Sequence, residues 1–194
     1  MRRSFFIVLI LAIVVLMPLV SCGMVDESIV DLPNESIVVI SSEEFENLHD
    51  RFLLYGGILS ETWNDAEQLR PEFFPTYFFF YYLHNIGGLF EKYEDGFIPQ
   101  DKVESMVQSH FNVSVEFLRS GRDYCPEREA YEFHGIGSAG YIQITRAEQD
   151  GAILTIYYDM ISATDELAAQ GIVVIELSGD DFRYLSNYLT RFDD

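Results

Sequence analysis

Beyond Tyr131 the hydrophobic period of this chain changes from helical to two, and that change limits the fold more than any other feature. Tyr131-Glu132-Phe133-His134 reads as a short strand. Tyr141 to Glu148 and Ala152 to Met160 read as longer strands joined through Gln149-Asp150-Gly151, a strong hairpin signal. Gly171 to Ser178 and Phe182 to Phe192 repeat the pattern through Gly179-Asp180-Asp181, while Ser162 to Gln170 reads as a loop or one short helix.

Upstream the spacing is helical. Ser41-x-x-Glu44 is a capping-box signature, followed by Phe45, Leu48, Phe52, Tyr55 and Leu59 at helical intervals. Asn64 to Phe74 reads as a loop, and Pro75 opens a second helix, where its missing N–H costs nothing. In that helix Phe79, Tyr82, Leu83, Ile86, Leu89, Phe90 and Tyr93 form one stripe, with Tyr77, Tyr81, His84 and Gly88 opposite. A helix apolar most of the way round is buried on two sides. A third helix is expected from Pro99 to Phe111, and a short one over Ser114 to Ser120, closed by Gly121 as its C-terminal cap. Helices first and strands second predict an α+β fold, with N-terminal helices packed on one face of a four- to five-stranded antiparallel meander.

The N-terminus speaks to location. Arg2 and Arg3 precede an apolar run from Phe5 to Val20, and Leu19-Val20-Ser21-Cys22-Gly23 follows. The run is shorter than the roughly twenty residues a membrane-spanning helix needs, and it ends in small residues, as a processed signal does. It resembles a bacterial lipoprotein signal whose cysteine is acylated. The expected organisation is a signal peptide over 1–21, an acylated N-terminus and acidic tether over 22–36, and a single α+β domain over 37–194. Cys22 is the expected lipidation site, anchoring the protein to the cell membrane on its extracellular or periplasmic side.

The chain carries 32 acidic and 12 basic residues, a formal charge of −20. No basic footprint exists to displace counterions from phosphates, so nucleic acid is not an expected partner. The membrane, through Cys22, and a basic envelope protein are the expected ones; the oligomeric state is not written in the sequence. With Cys22 acylated, Cys125 is left without an intramolecular disulfide partner.

Motifs for chemistry are sparse. Gly135-Ile136-Gly137-Ser138-Ala139-Gly140 spells the dinucleotide pattern G-x-G-x-x-G, but that mechanism needs a helix after it, and the next segment is a strand. A glycine-rich strand connection is the better reading. His49, His84, His110 and His134 form no zinc spacing, and no calcium loop is present. No metal, cofactor or catalytic residue is therefore expected. Twelve tyrosines and sixteen phenylalanines exceed what a core of this size requires. They suggest a groove between the second helix and the sheet, lined by Tyr77, Tyr81, His84, Tyr158 and Tyr188, because tyrosine offers a flat apolar body with a polar tip.

One string in the C-terminal half adds a resemblance. It comprises Ile98-Pro99, Phe111-Asn112-Val113, Phe117-Leu118-Arg119, Tyr131-x-Phe133 with its glycine-rich turn, the hairpin from Tyr141 to Tyr158, and Phe182-Arg183-Tyr184-Leu185-Ser186-Asn187. Together these resemble a module of uncharacterised lipoproteins of Clostridia and other Firmicutes, over roughly residues 75 to 192. The order of elements is also similar to NTF2-like and cystatin-like folds, and to cell-wall peptidase inhibitors on a related plan. The chain departs from the module at Ser162 to Gln170. The resemblance carries no catalytic residues. The expected function is a surface-anchored, non-enzymatic module that binds an envelope protein or small ligand, with a regulator of cell-wall enzymes as its sharper form. The alternatives are an NTF2-like cavity enzyme with His84 as base, and a structural envelope protein without a ligand.

Overall fold

A computed structural model describes residues 37–85, 93, 96–133 and 140–192. The expected signal, Cys22 and the tether lie outside the described residues. So do Ile86, Leu89 and Phe90 of the helical stripe, Gly88 of the opposite face, His134, and Gly135 to Ala139 of the glycine string.

The fold is α+β. The larger sheet has five antiparallel strands in the order β1-β5-β6-β7-β8: β1 (Val38–Val39), β5 (Gly140–Asp150), β6 (Ile153–Ser162), β7 (Leu167–Ser178) and β8 (Asp181–Arg191). The last four form the expected meander. Its outer two turns are two-residue connections opened by Gly151 (φ 55°) and Gly179 (φ 63°), a conformation that other residues adopt only with strain. The segment expected as a loop or helix over Ser162 to Gln170 is mostly strand. Leu167 already pairs with Ile161, and Ala169 with Met160. What remains is a tight turn, with Asp165 at φ 61° and the Ser162 N–H donating to Glu166 C=O at 2.8 Å.

A second sheet, in the order β2-β4-β3, was not expected. It comprises β2 (Phe97–Pro99), β3 (Tyr124–Cys125) and β4 (Ala130–Glu132). The strand foreseen at Tyr131 belongs here, not to the meander.

The helices are α1 (Phe45–Leu48), continued as a π-helical turn over His49–Leu53, α2 (Phe73–Asn85), α3 (Gln100–His110) and α4 (Val115–Arg119). α2 starts before Pro75, which still falls in the first turn, where N–H groups have no helical acceptor. Phe73 through Phe79 are buried on every side of the helix, whereas Leu83 and His84 are exposed. The stripe therefore gives way to a fully buried first half and an emerging second half. Ser114 caps α4 by accepting from Phe117 N–H at 3.2 Å. Gly121 has no left-handed φ; a Cβ there would lie 2.8 Å from Pro71 Cβ, so it serves close packing and not a C-terminal cap. Among the buried groups is a carboxylate. Glu104 accepts from Arg119 Nε at 2.7 Å, from Arg119 Nη2 at 3.0 Å and from Tyr131 Oη at 3.0 Å, joining α3, α4 and β4.

The main core lies between the helices and the inner face of the larger sheet. There Ile144, Ala147, Leu154, Ile156, Val173 and Ile175 meet Phe52, Leu53, Tyr77 and Phe111. Gly171 is part of that face for a steric reason. A Cβ at 171 would sit 2.1 Å from Tyr158 Cζ, and Tyr158 cannot swing away because its hydroxyl is fixed at both Leu59 and Asn187. Gly171→Ala is expected to cost about 1–3 kcal/mol in denaturant unfolding. Adding Tyr158→Leu should recover part of it, so the two losses would fall short of their sum.

Candidate functional site

The π turn follows directly on α1 and widens the helix by one residue per turn. It turns Phe52 and Leu53 into the core, and sets the Arg51 guanidinium 5.1 Å from the Phe52 ring centroid and 5.7 Å from that of Phe182. The chain then passes through Gly56-Gly57. A Cβ at Gly57 would lie 2.3 Å from the Tyr55 phenol, and one at Gly56 would lie 3.3 Å from Ile142 Cδ1. The glycine pair thus lets the backbone cross the Tyr55 ring and approach the sheet.

Between this crossing and the corner of the sheet lies an apolar cavity of about 490 Å³. Leu53, Leu54 and Phe80 form its helical side, and Ile142, Met160 and Ile161 its sheet side; His49, Tyr55, Ser60 and Tyr141 are its polar members. Among the described residues no carboxylate, lysine or arginine lines it, although acids make up 32 of the residues in the chain. Gly140 closes one end. A Cβ there would fall 2.0 Å from the Ile161 carbonyl oxygen, so the last glycine of the string answers to strand packing. β5 follows it, as the strand context required.

Tyr55 lies in the same wall. Its ring stacks on Phe80 at 5.4 Å, and its hydroxyl is buried without a hydrogen-bond partner. Burial pushes that phenol up to about 12. The Thr76 hydroxyl is close enough to pull the value down without meeting hydrogen-bond geometry.

The five residues foreseen in one groove are distributed differently. Tyr77 is buried, 2.8 Å from His110 Nδ1, and stacks with Tyr81 at 6.1 Å. His84 is half-exposed, with Nε2 3.8 Å from Asp50 Oδ2. His84 and Tyr81 share an open, polar concavity of about 450 Å³ with Asp50, Arg51 and Asp180. Tyr158 is 1 % exposed and its hydroxyl is engaged by Asn187. Tyr188, 61 % exposed, points from the outer face of the sheet. The structure joins Tyr77 to Tyr81 and Tyr81 to His84, and sets Tyr158 and Tyr188 apart. Sequence reading missed the apolar cavity; the Gly56-Gly57 pair was its only written signal. Among the described residues no group of three or more His, Cys, Asp or Glu could hold a metal ion.

An α+β domain of helices on an antiparallel meander, with an apolar cavity at one corner, is the class this geometry defines. The chain belongs to DUF6070, a family of unknown function that matches residues 54–193. No curated protein and no solved structure matches it significantly.

Proposed function

We propose that this protein is an acylated, surface-anchored, non-enzymatic binding module for an envelope protein or a small ligand, akin to the lipoproteins that its C-terminal string resembles. The apolar cavity carries this reading. Its lining among the described residues offers hydrophobic surface and hydroxyls, with one imidazole, that of His49. That composition suits holding apolar matter better than moving protons. Its size falls within the roughly 300–1,000 Å³ of small-molecule sites. Anchoring is supported by the Leu19-Val20-Ser21-Cys22 string. The high negative charge favours a basic partner and speeds its approach at low salt.

Two measurements test the reading. Cells fed radiolabelled palmitate should label the wild-type chain, and Cys22→Ser should lose the label and leave the membrane fraction. The neutral fluorophore N-phenyl-1-naphthylamine should bind the full chain. Ile161→Arg, which places a charge in the cavity, should weaken that binding about tenfold or more. Unchanged labelling in Cys22→Ser would remove the anchor; unchanged dye binding in Ile161→Arg would remove the cavity as the site.

A further inference from the structure

β5 is 11 residues long, yet its neighbour on one side covers only one end. β1 pairs with Gln149 and Glu148, and Ile40 N–H adds one bond to Ala147 C=O at 2.9 Å. From Tyr141 to Thr145 the same edge has no partner among the described residues. In an antiparallel pair, alternate residues direct N–H and C=O away from the partner strand. That stretch is therefore a template for another chain, and Tyr141, Gln143 and Thr145 on it are exposed. The opposite edge of the sheet is managed differently. On β8, Asn187 exchanges two backbone bonds with Trp63 at 2.8 Å, and Leu189 N–H donates to Thr62 Oγ1 at 2.9 Å.

Two further observations meet at the open half of β5. The apolar cavity borders it, since Tyr141 and Ile142 belong to both. The segment that leads on from β1 is acidic, with Glu43, Glu44 and Glu46 all exposed; the cation beside the open stretch, Arg146, is paired with Glu148 in the covered half. Backbone groups awaiting a strand, a pocket for one side chain and a negative border together define a recognition mode. The ladder supplies affinity, the pocket chooses the side chain, and the charge chooses the partner.

We propose that the Tyr141–Thr145 edge of β5 captures an extended, cationic segment of another polypeptide as an added strand, seating one of its apolar side chains in the cavity. This rests on the binding-module reading and gives it a partner chemistry. A second copy of the chain is a poor occupant, because two surfaces of charge −20 repel.

The test uses the full chain in detergent and three peptides: an alternating valine–lysine decamer, the same decamer with glutamate for lysine, and the lysine decamer N-methylated at alternate amides. The first should bind, lose about tenfold or more in affinity at high salt, and slow hydrogen exchange at Tyr141–Thr145. The other two should bind about tenfold more weakly or not at all. The proposal is overturned by equal binding of the N-methylated or glutamate peptide, by protection along β8 instead, or by protection of Tyr141–Thr145 from self-association without peptide. Failure of every peptide while the neutral fluorophore still binds removes the edge and leaves the cavity. Failure of both probes removes the binding module.

Discussion

Replacing Asn187 with leucine should destabilise the fold by about 3–5 kcal/mol, although the residue touches no cavity and no charge. Asn187 is 1 % exposed on the inner face of β8. Its Nδ2 donates to Leu59 C=O at 3.1 Å and to Glu61 C=O at 2.8 Å. Its Oδ1 lies 2.8 Å from the Tyr158 hydroxyl, which has one proton to share between that atom and Leu59 C=O. Through one side chain the loop from Leu59 to Trp63 is tied to β6 and β8. Leucine keeps the volume and the backbone bridge to Trp63, but it leaves the Glu61 carbonyl without its donor. It also removes one of the two acceptors of Tyr158. Each buried polar group orphaned in this way costs roughly 1–3 kcal/mol. Denaturant unfolding of the full chain measures the loss. Tyr158→Phe should cost less, and the double variant should fall short of the sum of the two, because they share one network. A loss below about 1 kcal/mol for Asn187→Leu would show that the loop is held by packing around Trp63 alone.

The contrast between Asn187 and Gly151 explains how much of this fold could be read in advance. Gly151 and Gly179 announce themselves, because only a few residue types accept a positive φ and both stand between runs that alternate. The four long strands followed from that, and so did the α+β class. β2 and β3 have three and two residues, too few for a period of two to show; of this second sheet the sequence pointed to β4 alone, through Tyr131. The strand from Leu167 to Gln170 was hidden for another reason. Leu167-Ala168-Ala169-Gln170 has no alternation and favours helix by composition, and only pairing with β6 makes it extended.

The tyrosines were read as pocket lining because their number seemed surplus. Several of them end buried hydrogen-bond chains instead: Tyr184 donates to Phe52 C=O at 2.6 Å, Tyr131 to Glu104 Oε1 at 3.0 Å. Burial raises both phenols well above the usual range. Tyr55 and Tyr141 do line the cavity, but most of its apolar wall is Leu, Ile, Met and Phe, which carry no letter pattern that separates a hollow from a filled core. Its existence depends on where two glycines let the chain cross Tyr55, which is a tertiary fact.

Acidification should destabilise this protein through His110 before most carboxylates become relevant. The ring is 7 % exposed at the end of α3, stacked on Phe182 at 4.1 Å and edge-on to Tyr81 at 4.8 Å. We assign its proton to Nε2, so that Nδ1 accepts from the Tyr77 hydroxyl at 2.8 Å. Burial is the main cause that lowers its pKa from 6.5 to about 4; the charge of Asp181 opposes the shift and that of Arg51 adds to it. In the unfolded chain the same histidine titrates near its ordinary value of about 6.5. Between those two values the unfolded state binds more protons, so stability falls as pH falls. The loss begins near the unfolded pKa and is complete below about pH 4. It amounts to roughly 3 kcal/mol, at about 1.4 kcal/mol per pH unit of separation. Above neutrality the histidine contributes no pH dependence. His110→Gln keeps a polar group within reach of Tyr77 but cannot be protonated. It should be less stable than wild type at neutral pH and lose about 3 kcal/mol less on acidification to pH 4. Unfolding free energies measured for both proteins across that range give the comparison directly. Parallel curves would mean that the histidine takes up its proton without leaving the fold, and that the corner between α2, α3 and β8 opens to water.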